Sequence, residues 1–101
     1  MPKLYEYLGI SIFFYSNEHK PIHVHGRFQG RESKVEIVIE DGEIVEVKLL
    51  DVSGKRPLSS DKSNEFVKFV NAYADDIVRK WIDFFVYGKQ LQPKVIRRRI
   101  R

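Results

Sequence analysis

The sequence contains no cysteine, and its longest apolar run is the eight-residue stretch LGISIFFY at residues 8–15. Without cysteine the protein forms no disulfide bridge and no thiolate zinc site, which excludes disulfide-stapled domains and zinc fingers. The apolar run is too short to cross a bilayer and lacks the flanks of a signal peptide. We therefore expect a soluble cytoplasmic protein with no membrane partner.

Acidic side chains are missing from residues 89–101, which carry six Lys or Arg, whereas residues 1–88 carry 12 basic and 14 acidic side chains. The net charge of +4 is therefore a property of the C-terminal segment. Such a segment is either a solubilising end or a contact for phosphates or an acidic partner. We predict one domain over residues 1–93, followed by a basic tail over 94–101. Its candidate nucleic-acid-binding residues are Lys94, Arg97, Arg98, Arg99 and Arg101.

The apolar pattern changes period once along the chain. Between residues 9 and 50 apolar residues alternate with polar ones, interrupted by the short breaks SNEHKP, QGRE and EDGE, which is typical of strands joined by hairpins. After Pro57 the period is helical, with an apolar stripe that runs from Phe66 to Phe84. We predict an α+β fold in which a four-stranded antiparallel meander has one long C-terminal helix packed on one face.

Two details of this fold are the course of the long helix and the turn at EDGE. A helix over residues 61–87 would be about 40 Å long, so we expect it to bend, to break near Asp75–Asp76 or to overhang the sheet. At EDGE, a two-residue Asp-Gly turn would place Ile37 opposite Glu46 and spoil the apolar face. We therefore predict a three-residue loop with a glycine bulge at this hairpin.

All three histidines of the chain lie between residues 19 and 25. Side chains two apart on a strand point to the same face, so His23, His25 and Arg27 project together, away from the apolar side of their strand. They are predicted to lie on the sheet face that the helix does not cover. This position differs from the usual one of a lone histidine in a core.

The alternation of side chains between the two sheet faces predicts the neighbours of these histidines, because directly opposed residues on paired strands share a face. The loop that follows their strand must hold an even number of residues. A two-residue loop places Glu36 opposite His23, and a four-residue loop places it opposite His25. On the other side, Phe13 falls opposite one of the two histidines, and Ser11 or Tyr15 lies beside it.

Four interpretations of this patch remain open. Aromatic rings stack on bases, cations hold phosphates and imidazoles transfer protons near neutral pH, which together favour binding or cleavage of RNA. In that interpretation the candidate catalytic residues are His23, His25 and Glu36, and the candidate binding residues on the sheet are Phe13, Tyr15, Arg27 and Lys34. The patch could equally be a protein-binding surface or an ordinary solvated sheet face.

The fourth interpretation is a divalent metal site formed by His19, His23 and His25, with Glu36 as a fourth or outer ligand. His-x-His on a strand is a real ligand spacing. However, His19 falls in a predicted turn and no cysteine is available. We therefore expect at most weak, adventitious binding of Zn²⁺ or Ni²⁺ and no resident cofactor.

The stretch EHKPIHVHGRF, residues 18–28, resembles the signature acidic–His–x–Pro–Pro–His–x–His of a family of small bacterial proteins, domain of unknown function 4160. The resemblance covers almost the whole chain, with Trp81 at the position of the family's late-helix tryptophan, and Ile22 replaces the second proline. The signature positions are occupied by Glu18, His19, Pro21, His23 and His25. The resemblance implies a toxin–antitoxin-like module with a small cognate protein encoded nearby, and it implies no chemistry.

The leading hypothesis is a component of such a module that acts on RNA through the histidine-bearing sheet face. The alternative is a non-enzymatic interaction protein that docks on its cognate partner through this face or the basic tail. A homodimer is compatible with either hypothesis.

Overall fold

The computed structural model describes residues 2–17 and 21–100 and shows an α+β domain. Its elements are β1 (Lys3–Tyr7), β2 (Ile10–Phe13), β3 (His23–Phe28), β4 (Arg31–Glu40), β5 (Glu43–Asp51), α1 (Ser60–Phe85) and β6 (Lys94–Ile96). All six strands form one sheet in the order β5-β4-β3-β2-β1-β6. Within these described ranges, no helix is long and apolar enough to cross a membrane.

The sheet is larger than the predicted four-stranded meander, and it is mixed. The strands from β2 to β5 pair antiparallel as expected, and β1 adds a further antiparallel strand beside β2. The sixth strand, β6, pairs parallel to β1 and lies in the segment that the charge pattern separated as a tail. The sequence pattern missed β6 because three residues are too few to show a period.

Three hairpins of the sheet use the same turn. Leu8–Gly9, Gln29–Gly30 and Asp41–Gly42 each place two residues with positive φ, between 49° and 83°, at the tip of a hairpin. This is the type I′ geometry, whose twist matches that of the flanking strands. The prediction of a three-residue loop at EDGE is therefore wrong, since Glu40 pairs directly with Glu43.

A two-residue turn alone would place Ile37 opposite Glu46, and an irregularity within the strands prevents this. Val38 pairs with Glu46 and the next residue, Ile39, pairs with Ile44. Val45 is consequently the extra residue of a β-bulge, which shifts the register by one. Val47 and Ile37 then lie opposite each other on the apolar face.

The helix α1 is continuous from Ser60 to Phe85 and passes through Asp75–Asp76 without the break that we considered. It begins at an N-cap, Ser59, whose hydroxyl accepts a hydrogen bond from the backbone N–H of Lys62 at 3.3 Å. Its apolar stripe packs on one face of the sheet. The buried helix residues are Phe66, Phe69, Val70, Ala74, Ile77 and Trp81.

The contact between helix and sheet is closest at Gly26. A Cβ atom at this position would lie 2.9 Å from the Phe66 ring, so the absence of a side chain allows the ring to touch the backbone of β3. On β1, two strands away from β3, Tyr5 packs edge-on against Phe69 at 4.9 Å between ring centroids. The Tyr5 hydroxyl donates a hydrogen bond to Asp76 of the helix.

The C-terminal segment is tied back to the domain by two contacts. The backbone N–H of Ile100 donates to the Tyr7 hydroxyl at 2.9 Å. Arg99 forms an ion pair of 2.7 Å with Glu65 of α1. Residues 94–100 are thus part of the folded unit along the β1 side of the sheet.

Candidate functional site

The pairing of β3 with its neighbours fixes the predicted site face. His23 lies opposite Glu36, His25 opposite Lys34 and Arg27 opposite Glu32. The two-residue form of the predicted even loop is therefore the correct one. From β2, Phe13 lies opposite His25, as parity required.

The centre of this face is the carboxylate of Glu32, whose residue is only 1% exposed. Its Oε2 accepts hydrogen bonds from His25 Nδ1 at 3.0 Å and from the Tyr15 hydroxyl at 3.1 Å. Its Oε1 accepts from Nε and Nη2 of Arg27 at 3.2 and 3.1 Å. Because an ionised carboxylate only accepts, this bonding assigns the proton to Nδ1 of His25. We call these four residues, Tyr15, His25, Arg27 and Glu32, the Glu32 network.

Aromatic rings enclose the network. His25 stacks on Phe13 at 5.5 Å between ring centroids and meets Tyr15 edge-on at 4.4 Å. The guanidinium carbon of Arg27 lies 4.9 Å from the centroid of the Phe13 ring. As a result His25 is only 1% exposed, and the Phe13 ring is covered rather than open to a stacking base.

The second imidazole of the face, His23, lies beside the network. Its ring centroid is 5.1 Å from that of His25, and the two rings meet at 65°. Nδ1 of His23 lies 2.6 Å from the carbonyl oxygen of Pro21, which can only accept, so this nitrogen is the donor. The proline of the His-Lys-Pro stretch therefore positions one of the two histidines.

The electrostatics of the network keep Arg27 and Glu32 paired. Burial disfavours the charge on Arg27, but the hydrogen bond and negative charge of Glu32, together with Tyr15, outweigh this effect and raise the pKa of the guanidinium. Burial and the hydrogen bond to Glu32 both raise the pKa of Tyr15, so its hydroxyl stays protonated and donates. The arginine side chain is 38% exposed, which makes it the part of the network that meets solvent.

The carboxylate of the site differs from the predicted one. Among the residues that the structure describes, Glu36 forms no hydrogen bond or ion pair with either imidazole, although it lies opposite His23. Glu32 takes that role and was missed. The signal for it was present, because a two-residue turn at Gln29–Gly30 also sets Arg27 opposite Glu32. Lys34 lies opposite His25 and is half-buried.

The basic residues of the C-terminal segment do not join this face. Lys94, Arg97 and Arg98 are exposed on or after β6, which is three strands away from β3. Arg99 is occupied by Glu65. The predicted residues Glu18, His19 and Arg101 lie outside the described residues.

Within residues 2–17 and 21–100, no group of three or more His, Asp or Glu side chains could hold an ion. The hypothesised metal set also includes His19, which lies outside these ranges. The face offers two imidazoles, a guanidinium, a buried carboxylate and a phenol. This combination can bind an anion, transfer protons or stabilise the fold.

Comparison with known proteins places the chain beside a family. A family model described as Domain of unknown function (DUF4160) matches residues 9–82, a range that includes the whole face described above. No curated protein matches the chain, and no solved structure matches it.

Proposed function

Because the chain belongs to the DUF4160 family, whose function is unknown, we propose a role from the site itself: the protein is a component of a small two-protein module and acts on RNA. The observation that supports this proposal is the Glu32 network. A single buried carboxylate orients an imidazole, a guanidinium and a phenol beside a second imidazole. Paired imidazoles next to a fixed cation suit phosphodiester chemistry at neutral pH.

Cleavage of RNA needs no added nucleophile, because the 2′-hydroxyl supplies it. The bond between the 2′-oxygen and phosphorus forms as the bond from phosphorus to the 5′-oxygen breaks. One of His23 and His25 takes the proton of the 2′-hydroxyl, and the other, protonated, gives a proton to the leaving 5′-oxygen. Arg27 offsets the charge that develops on the phosphoryl oxygens. The products carry a 2′,3′-cyclic phosphate and a 5′-hydroxyl.

Because His25 is buried, RNA cleavage requires a side chain of the site to move first. An RNA phosphate reaches Arg27 and Lys34 first, since both have side chains partly open to solvent. His25 is reached only after Arg27 or Tyr15 has moved aside. Binding at Arg27 draws it away from Glu32, so substrate binding and access to His25 are coupled in this proposal.

The test is to express the chain with and without the protein encoded beside its gene and to sequence the RNA ends that appear. We expect new 5′-hydroxyl and 2′,3′-cyclic phosphate ends, which are lost in His23→Ala and in His25→Ala. Glu40→Gln is the matched control, because this exposed carboxylate ends the strand that carries Glu32. No new ends with the wild-type chain, or equal numbers of ends in the histidine variants, would rule out cleavage.

A second, non-enzymatic function is favoured by the burial of His25 and Glu32. Such burial is also typical of a network whose only role is to hold the strands together. In that case the chain is a non-enzymatic interaction protein that docks on its cognate partner. A strongly acidic partner would contact the exposed Arg97 and Arg98. The double variant Arg97→Ala/Arg98→Ala would then lose the partner in a pull-down, whereas His25→Ala would retain it and the wild-type chain would bind no RNA.

A further inference from the structure

Strand β5 is the long edge of the sheet. It is nine residues long and stands last in the strand order. Two of its apolar side chains are well exposed, Val45 at 52% and Leu49 at 44%. The opposite edge, β6, has only three residues. A long edge strand with exposed apolar side chains is a ready template for another strand.

The charge order of β5 identifies which strand fits. We propose that β5 pairs antiparallel with β5 of a second copy of this chain, about a two-fold axis at Val47. Next to the axis, from Glu46 to Lys48, residues whose numbers sum to 94 then lie opposite each other. Glu46 of each copy faces Lys48 of the other, so two opposite-charge pairs flank the axis. Beyond the bulge at Val45 the register shifts by one, so Leu49 faces Ile44 of the other copy and lies beside Val45. The pairing thus covers the two most exposed apolar side chains of the strand.

Neighbouring registers lack this fit. A two-fold axis at Glu46 places the two Glu46 carboxylates opposite each other. An axis at Lys48 places the two Lys48 ammonium groups opposite each other. Like charges directly opposite each other are destabilising. Charged side chains, above all Lys, usually protect an edge strand against association. The segment Glu46–Val47–Lys48 instead places opposite signs on either side of its centre, which complements a copy of itself.

Two features of β5 weaken the proposed pairing. Glu43 of one copy comes near Asp51 of the other at both ends of the joined strands, where both residues are exposed and solvent screens the repulsion. The bulge at Val45 increases the local twist of the strand. Both features predict a dimer of moderate affinity whose dissociation is measurable.

The dimer would join two sheets into one of twelve strands. Opposed residues share a face, so both copies present their histidine-bearing faces on the same side and both helices on the other. Five strand spacings separate the two copies of β3, a distance of about 24 Å. The inference stands apart from the proposed function, because it rests on the edge strand and not on the site.

Charge reversal tests the register directly. We expect sedimentation over a concentration series to show a dimer for the wild-type chain and monomers for Glu46→Lys and for Lys48→Glu. A 1:1 mixture of the two variants should dimerise again, because every contact between the unlike chains then joins opposite charges. Glu40→Lys is the control, since it changes the charge equally outside the paired register and should stay dimeric.

The absence of native cysteine allows a second test. Val47→Cys should form an intermolecular disulfide on mild oxidation, because the two copies of residue 47 face each other across the axis. Val45→Cys should not, since its two copies lie four residues apart. A wild-type chain that stays monomeric at all concentrations, single charge variants that still dimerise, or a mixture that stays monomeric would each overturn the inference. So would binding of β5 to a different protein in place of a second copy.

Discussion

A carboxylate as enclosed as that of Glu32 loses several kcal/mol of hydration on folding, which its hydrogen bonds must offset. Four bonds from three side chains do so here. The network is therefore sensitive to the removal of the carboxylate, because Arg27, His25 and Tyr15 would lose the acceptor that they share. Glu36, on the same strand, has no comparable surroundings.

We expect Glu32→Gln to lower the free energy of unfolding by about 3 kcal/mol, since breaking one partner of a buried ion pair has this cost. Glu36→Gln should change it by less than about 0.5 kcal/mol, as is usual for surface substitutions. Urea unfolding of the two variants measures both values. Equal effects would show that the network contributes nothing specific to stability.

The hydrogen bond from Tyr5 to Asp76 makes the stability depend on pH. Burial raises the pKa of Asp76, but the bond from Tyr5 and the charges of Lys80 and Lys94 outweigh burial and lower the pKa below 3.8. A carboxyl group whose pKa is lowered by folding stabilises the folded state at any pH above its ordinary pKa. This stabilisation is lost as the pH falls through the pKa of the folded state. Tyr5→Phe should therefore cost about 1–2 kcal/mol at pH 7 and progressively less in acid below pH 3.8. Unfolding over a pH series checks this, with Tyr73→Phe as control, and a difference independent of pH would contradict it.

At the scale of elements, the contact of β3 with α1 depends on the absence of a side chain at Gly26. We expect Gly26→Ala to destabilise the fold by about 1–3 kcal/mol, because the new methyl group would overlap the Phe66 ring. The double variant Gly26→Ala/Phe66→Leu should be more stable than the two single changes added together. Thermal unfolding of all three variants tests the coupling, and simple additivity would show that the contact is not limiting.

The sequence predicted those elements whose pattern repeats. The strands from β2 to β5 and α1 followed from alternation and a helical stripe, and the faces of His23, His25 and Arg27 followed from parity. The bulge at Val45 did not, because a three-residue loop and a two-residue Asp-Gly turn followed by a bulge both place Val47 opposite Ile37. Glu32 was missed because it lies opposite Arg27 and only diagonal to His25, whereas Glu36 lies directly opposite a histidine.

The enclosure of the site could not be predicted either. Parity places Phe13 and His25 on the uncovered face, which led us to expect solvent access. The structure shows these rings packed on one another, with Arg27 as a cover. Burial by neighbours on the same face depends on side-chain conformations, which a pattern of residue types does not encode.

At the scale of the whole molecule, charge is unevenly distributed between the two edges of the sheet. The C-terminal segment beside β1 carries Arg97 and Arg98, both exposed, whereas the opposite hairpin carries Glu40, Asp41 and Glu43. A polyanion such as RNA would be attracted to the basic edge. Deleting the segment is a poor test of this attraction, because it would also remove β6 and its anchors.

Substitution of Arg97 and Arg98 by Ala is the cleaner test. If both residues contact phosphates, the slope of log affinity for single-stranded RNA against log salt should flatten by about 1.4, or about 0.7 for each contact. His25→Ala should leave the slope nearly unchanged, because its ring lies inside the network. Filter binding at several salt concentrations measures the slopes, and an unchanged slope in the double variant would exclude a role for this edge.

The parallel pair of β1 and β6 has a consequence for the order in which the chain folds. Each of the three type I′ hairpins joins its strands through two residues and can form within about 1–10 μs. Tyr5 and Lys94, by contrast, are partners across 89 residues, so their pairing must close a loop that contains the rest of the sheet and the helix. We expect this pair to form last and to open first in the native state. The amides of Val95 and Ile96 should therefore exchange with solvent through a local opening, well before those at the centre of the sheet.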